Sequence, residues 1–521
     1  MNESTPLVNS TKKAHLFVLV HGLWGGASHL KSIEQVLDSV LGEDEKISDH
    51  ILTIKPKTSA LLKTYDGIEI ISKRMLLEVL NYIIEVQTEG YVPDKKKDKT
   101  RVKVSKISFV GYSLGGLVAR HLIGQFESLG LFEHIEPYYY TSFASPHLGT
   151  WFFEKQFMNV IGSNLLGIVG AELFIEDGPK MLLQLSEGVF YQGLQRFKKR
   201  FAIANVRHDR SVAFYTSYIT DISPFDAKWD EIKLGYEDAS SVEVRGDIAS
   251  PAFVDLNQTR MKTEEEIRAD SVYSWRKVLK YSGIVAAMVV ILPWWVPFVF
   301  TVTATTTVLS HAFVKYWYRG PTEAELRQLI KDLTKEVEEV IASEESYAVV
   351  NDQVQEALSE TEGHDNIRKL RERVEETTES IIESAVNVRE FNCKKTESGS
   401  IDSSDTNLRV AMETPEIKIQ DLKFTDLSKF LNPDLSELKL LQGQLQDSRI
   451  KLPLDSTRLE ILRNLNSLAW YKFAVHLDVL NAHNSVVARR GLNKANAQGI
   501  SVVLNWSEIL RDDLVKMDSN V

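Results

Sequence analysis

Residues 14–22, Ala-His-Leu-Phe-Val-Leu-Val-His-Gly, form a short apolar run that stops at a glycine. A continuous run of this length, closed by a turn residue, predicts a strand buried on both faces of a parallel sheet. Ile51-Leu52-Thr53-Ile54, Lys106 to Val110, Tyr138 to Phe143 and Phe201 to Val206 repeat the pattern. Between them, Glu69 to Val86 carries apolar residues at helical spacing, and Leu117 to Ile123 also reads as a helix. Ile500 to Leu504 reads as a final strand. Strands alternating with helices predict an α/β fold, a mostly parallel sheet with helices on both faces. In such sheets chemistry collects beyond the carboxyl ends of strands. His21-Gly22, Ser113, Ser145-Pro146-His147 and Asp209 all sit just past such ends.

The pattern changes near residue 271. No charged residue occurs between Lys280 and Lys315, and Ile284 to Val302 is almost wholly apolar. Residues 321–390 are acidic and Gly-poor, with Leu326, Leu329, Ile330, Leu333 and Val337 at helical spacing, which predicts long solvated helices. Residues 392–415, rich in Ser, Thr and Asp, read as disordered. Leu-rich order resumes near Leu435. A second apolar stretch, Met158 to Phe174, contains Gly162, Gly167 and Gly170 and reads equally as a lid, an acyl pocket or an ordinary packed helix.

Gly111-Tyr112-Ser113-Leu114-Gly115 joins one predicted strand to one predicted helix. A serine on a sharp turn in that context, flanked by glycines that allow close backbone approach, is the nucleophile elbow of an α/β-hydrolase. A serine hydroxyl needs a base within hydrogen-bond reach, itself oriented by a carboxylate, and in this fold the chain order is Ser, acid, His. Asp209 suits the acid because it follows the 201–206 strand; Asp221 and Asp226 are the alternatives. His311, His364, His476 and His483 all follow the acid, and order alone does not choose among them. The oxyanion of a tetrahedral intermediate needs backbone donors, here the N–H groups of Leu114 and, from the loop after the first strand, Leu23. Trp24 and His147, which lie near these ends, are expected to shape the substrate pocket.

At 521 residues the chain exceeds one ordinary domain. Its formal charge of −11 argues against a nucleic-acid partner, which needs a basic face. One cysteine, Cys393, excludes an intramolecular disulfide and suits a reducing compartment. No metal-ligand spacing and no phosphate-binding Gly loop appears, so neither metal nor cofactor is expected. Met1 to Lys13 is polar and lacks the apolar core of a signal peptide, which points the active face to the cytosol.

Val20-His21-Gly22-Leu23-Trp24-Gly25, Thr64-Tyr65-Asp66-Gly67-Ile68, the elbow, Ala144-Ser145-Pro146-His147-Leu148-Gly149 and Ala482-His483-Asn484 together resemble a fungal family of serine esterases and lipases. The resemblance covers roughly residues 14–225 and 455–505. That family has His where Tyr112 stands, a change expected to alter packing beside the elbow and not the reaction. The resemblance implies His483 as base, hence a Ser113–Asp209–His483 triad acting on glycerolipid esters, phospholipid or acylglycerol. It also implies a lipid-droplet or endoplasmic-reticulum surface, on the cytosolic face.

Four segments follow: 14–270, the first part of the hydrolase core; 271–320, an apolar hairpin; 321–434, the acidic insert, whose protein partner is unknown; and 435–521, which returns to the core with the base. If Ser113 and His483 share one site, residues 281–314 enter a membrane and return, or lie flat, but do not cross once. Pro293 and Pro297 break the segment, and Arg276, Lys277, Lys280, Lys315 and Arg319 flank it on both sides, consistent with two cytosolic ends. An acyltransferase with the same triad and a catalytically retired membrane-tethered scaffold are the competing readings.

Overall fold

The computed structural model describes residues 12–88, 90, 102–153, 156–225, 229–236, 242–244, 247–249, 252–270, 301, 303–318, 320, 417–419, 451–479, 481–492 and 496–518. Residues 1–333 and 417–521 group as one unit; the remainder, 334–416, lies outside the described residues, as do most of the acidic insert and the 271–300 portion of the expected hairpin.

Among the described residues the strands are β1 (Lys12–Val20), β2 (His50–Ile54), β3 (Val102–Tyr112), β4 (Glu136–Phe143), β5 (Lys199–Asn205), β6 (Ile232–Tyr236), β7 (Val242–Val244), β8 (Asp247–Ala249), β9 (Val254–Met261), β10 (Ile417–Ile419) and β11 (Tyr471–Val475). Six of them form one sheet in the order β11-β5-β4-β3-β1-β2, with every pair parallel. The strands form because their apolar residues are buried on both faces; Leu16 to Val20 and Phe201 to Ala204 are all shielded from water. The smaller pairings are antiparallel: β6 with β9, and β7 with β8 and β10.

Helices cover both faces of the main sheet, which makes an α/β-hydrolase fold. On one face lie α2 (Ile68–Thr88) and α3 (Leu114–Ser128). The buried side of α2 repeats Ile68, Ile71, Met75, Val79 and Ile83 at three- and four-residue spacing, as one helical face requires. On the other face lie α1 (Lys31–Leu37) and the C-terminal helix (Ala497–Asp518), where the Trp506 ring meets Phe143 edge-on at 5.2 Å. Ile500 to Leu504 is thus helical and not the final strand that its apolar run suggests. Every residue from Gly499 to Leu510 is buried, polar Ser501, Asn505 and Glu508 included, so the short apolar run from Ile500 to Leu504 does not by itself distinguish a buried helix from a strand.

The 158–174 stretch is two helices, α4 (Gln156–Leu165) and α5 (Gly167–Phe174), broken at Leu166-Gly167. Gly167 has φ of +67°, and a Cβ there would sit 2.6 Å from the Tyr65 carbonyl oxygen, so only glycine makes this break. Residues 303–316, which end the uncharged run, form a further helix, α6, continuous with the protein unit that holds the sheet. Among the described residues no helix is long and apolar enough to cross a membrane.

Register aligns the carboxyl ends of the strands: Val20 lies beside Gly111, Tyr112 beside Phe143, and Asn205 beside Val475. The chain runs from β1 outward to β2 and then returns to the other side of β1 for β3. Neighbouring connections therefore diverge between β1 and β3, leaving a crevice at their ends.

Candidate active site

Ser113 occupies that crevice in a strained backbone conformation, φ +56° and ψ −128°, between β3 and α3. Its N–H donates to the Phe143 carbonyl at 2.9 Å, which pins the turn to the neighbouring strand. The surrounding glycines are required by contact. A Cβ on Gly111 would lie 2.4 Å from Gly116 Cα, and one on Gly115 would lie 2.1 Å from the Val20 carbonyl oxygen. Gly22 backs directly onto the serine, since a Cβ there would sit 2.7 Å from Ser113 Cβ and 3.3 Å from its Oγ. The elbow and the loop after β1 are thus packed against each other at backbone distance.

His483 Nε2 lies 3.0 Å from Ser113 Oγ, and His483 Nδ1 lies 2.9 Å from Asp209 Oδ2. Asp209 is held in turn by three donors. The Asn205 amide donates to Oδ2 at 2.8 Å, while the N–H groups of Ser211 and Val212 donate to Oδ1 at 3.0 and 2.8 Å. These bonds fix both carboxylate oxygens, leaving the lone pair aimed at Nδ1 as the means of orienting the imidazole. The Asp209 side chain is almost fully buried, which strengthens its electrostatic effect on the ring. Such an arrangement makes the serine oxygen nucleophilic by removing its proton as it attacks.

His483 sits on a short helix, Ala482–Ser485, beyond β11. The Ala482 N–H donates to the His208 carbonyl at 3.1 Å, joining the loop of His483 to the loop of Asp209. The Tyr112 ring lies 5.0 Å from the imidazole, and its hydroxyl donates to Asn484 Oδ1 at 3.2 Å. Asn484 Oδ1 also accepts from Arg489 at 3.0 Å. Tyr112, which stands where the resembled family usually has histidine, thereby braces the residue next to His483.

The structure does not bring the other candidates to this point. Asp221 pairs with Lys451 at 3.7 Å, and His311 lies on α6 with Nδ1 2.8 Å from the Thr307 carbonyl. His476 Nδ1 lies 2.8 Å from the Tyr236 hydroxyl. Asp226 and His364 lie outside the described residues. His147 does not line a pocket: it is wholly buried, Nε2 lies 2.8 Å from Ser142 Oγ, and its ring packs 5.7 Å from Trp470. Burial lowers its pKa well below the usual imidazole range, so it is a neutral core residue. Its place past a strand end suggests a pocket, but the turn closed by the Gly149 N–H on the Pro146 carbonyl leaves its ring packed between Tyr140 and Trp470. His21 is also buried and neutral, with Nδ1 3.1 Å from the Gly22 carbonyl.

Trp24 stands at the mouth, about half exposed, with φ of +54°. Its indole N–H donates to the Tyr65 hydroxyl at 2.9 Å and its backbone N–H to Thr64 Oγ1 at 3.1 Å. These bonds hold the loop that contains Leu23. The Leu114 N–H opens α3, where the first turn leaves donors without intrahelical acceptors. Asn205 supports Asp209 from the end of β5, a role that the sequence analysis does not single out, and the bond between Tyr112 and Asn484 is hidden because 372 residues separate the two.

Residues 10–221 match the family described as putative serine esterase (DUF676). The match includes Gly22, Ser113 and Asp209 and stops short of His483. Two proteins of Saccharomyces cerevisiae are similar over the same part. Putative lipase YDL109C is 29% identical over 217 residues, 40% of this chain and 31% of that one. Putative lipase ROG1 is 26% identical over 223 residues, 42% of this chain and 30% of that one. The chain thus spans about a third of the length of these curated relatives. A putative cell surface hydrolase from Lactobacillus plantarum overlays on 40% of this chain and 75% of its own at 10% identity and a TM-score of 0.23. The fold assignment rests instead on the strand order and the elbow.

Proposed function

We propose that this protein is a serine carboxylic-ester hydrolase that cleaves glycerolipid esters, as a lipase or phospholipase, at a lipid surface facing the cytosol. The observation that carries the reading is His483 lying within hydrogen-bond distance of both Ser113 Oγ and Asp209. Ser113 Oγ forms a bond to the ester carbonyl carbon as its proton passes to His483 Nε2. The carbonyl oxygen becomes an oxyanion received by the N–H groups of Leu114 and Leu23. Collapse breaks the bond to the alcohol, which leaves with the proton from Nε2, and Ser113 keeps the acyl group. Water then attacks, gives its proton to Nε2, and the proton returns to Oγ as the fatty acid leaves.

The lipid class comes from the relatives' description as lipases and from the resemblance of the motifs. Purified protein with Ser113→Ala is expected to lose hydrolysis of p-nitrophenyl butyrate and labelling by a fluorophosphonate, while its thermal unfolding stays close to the parent's. Full activity in that variant would refute the reading. Product analysis on mixed phospholipid and triacylglycerol emulsions would then assign the head-group preference.

A further inference from the structure

Two neighbouring helices in this protein are turned inside out. In α6, Thr306 and Ser310 are buried, one turn apart, while Val308 and Leu309 are 67% and 62% exposed. In α4, Asn159 and Ser163 are buried, again one turn apart, while Phe157 and Val160 are 63% and 60% exposed. A surface helix in water does the reverse, hiding an apolar stripe and presenting a polar one. Single exposed apolar residues are ordinary, but two helices inverted together are not.

Hydrogen bonds hold both helices in this sense. Thr307 Oγ1 donates to the Leu165 carbonyl at 2.9 Å and accepts from the Gly167 N–H at 3.2 Å, so α6 is fastened to the break between α4 and α5. Ser310 donates to Asp66 Oδ1, and Arg74 donates to Asp66 Oδ2 at 2.7 Å. The Arg74 guanidinium also lies over the Phe313 and Tyr318 rings, at 5.6 and 5.3 Å. In α4 the Asn159 side chain accepts from the Phe152 N–H and donates to its carbonyl, at 2.8 and 3.1 Å. Rotating either helix to hide its apolar side would break these bonds, which are buried at Ser310–Asp66 and partly buried elsewhere, and buried polar groups are costly to leave unpaired. The exposed face is thus the one the fold enforces.

We propose that the face made by α4 and α6, with Phe157, Val160, Val308, Leu309 and Trp317 outward, docks on a phospholipid surface. This rests on the ester-hydrolase reading for its purpose, since it would bring lipid to the crevice mouth. Three features favour lipid over a protein partner. The uncharged run from residue 281 to 314 leads directly into and through α6, so the face continues an apolar sequence too long for an ordinary soluble core. Where that run ends, Lys315, Tyr316, Trp317 and Tyr318 supply the mixture of basic and amphipathic aromatic residues favoured at a lipid–water boundary. Finally, Thr307 is bonded to Gly167, Gly167 packs against Tyr65, and Tyr65 is bonded to Trp24, which links α6 to the loop that follows β1 beside Ser113.

The test uses the full-length chain with Cys393→Ser, Ile161→Cys labelled with an environment-sensitive fluorophore, and Ser113→Ala to prevent hydrolysis. Addition of phosphatidylcholine vesicles is expected to raise and blue-shift the emission. An unchanged spectrum in the presence of vesicles overturns the proposal, and so does a shift that depends on protein concentration without vesicles, which would assign the face to a second copy. In the active chain, Phe157→Asp with Val160→Asp is expected to lower turnover of vesicle phospholipid at least tenfold and leave soluble p-nitrophenyl butyrate turnover within twofold. Equal loss on both substrates overturns it. Because the fluorophore reports docking without chemistry, its failure alongside intact ester hydrolysis refutes the face alone.

Discussion

Asp209 and His483 stand 274 residues apart in the chain and 2.9 Å apart in space. The acid follows β5 and the base follows β11, and these two strands pair in parallel at the edge of the sheet. Asp209→Asn should retain the fold and lower turnover of a p-nitrophenyl ester by about 10⁴, because an amide can no longer hold the imidazole in the tautomer that accepts the serine proton. Steady-state kinetics beside a thermal melt would check both halves of that expectation.

Gly115 tests the packing of the elbow. A methyl group there would meet the Val20 and His21 carbonyl oxygens at 2.1 and 2.6 Å, and both are backbone atoms where β1 ends and its following loop begins. Gly115→Ala is expected to cost at least about 1–3 kcal/mol, the usual range for overpacking. A denaturant titration would show it as a lower midpoint. Stability equal to the parent's would mean that β1 and α3 are less tightly apposed than described.

Tyr112 should act on the base through Asn484. Tyr112→Phe removes the hydroxyl that bonds Asn484 and retains the ring beside His483. The lost bond is worth about 1 kcal/mol, or about fivefold in rate if all of it is felt in the transition state. The loss is expected in kcat with KM unchanged, because the hydroxyl acts through Asn484 beside His483.

Glu172 makes stability depend on pH. Burial raises its carboxyl to about 8, opposed by the Ile68 N–H that donates to it and assisted by Asp177 and Glu69. Between its ordinary value of 4.5 and about 8 the folded protein holds a proton that the unfolded chain has lost. Stability from this group is therefore complete below pH 4.5 and is lost as pH rises through 8. Glu172→Gln keeps an acceptor for Ile68 and removes the titration. Its melting temperature relative to the parent should improve steadily from pH 5 to pH 8; a constant difference would reject the argument.

The sheet strands β1 to β5 are legible in the sequence because each is a short apolar run closed by a turn residue, and the elbow because its glycines are forced by contact. The C-terminal helix hides its period by being buried all round, so Ile500 to Leu504 reads as a strand. His147 shows that sitting past a strand end does not fix which way a side chain turns. His483 stands out only partly by its turn-like setting after the acid and needs the resemblance to be chosen, since its partners lie 274 and 370 residues earlier. The inversion of α4 and α6 is invisible to periodicity, which reports that a helix has two faces but not which one meets the protein.

That His483 follows β11, the last strand of the main sheet among the described residues, has a consequence for synthesis. The ribosome makes the serine, its strained turn and its glycine loop hundreds of residues before the imidazole that activates them. Until β11 joins the edge of β5, the nascent chain holds a nucleophile without a proton acceptor. On the ester-hydrolase reading proposed above, the protein stays latent while these residues are being made, and ester cleavage waits until the segment carrying His483 has been built and docked.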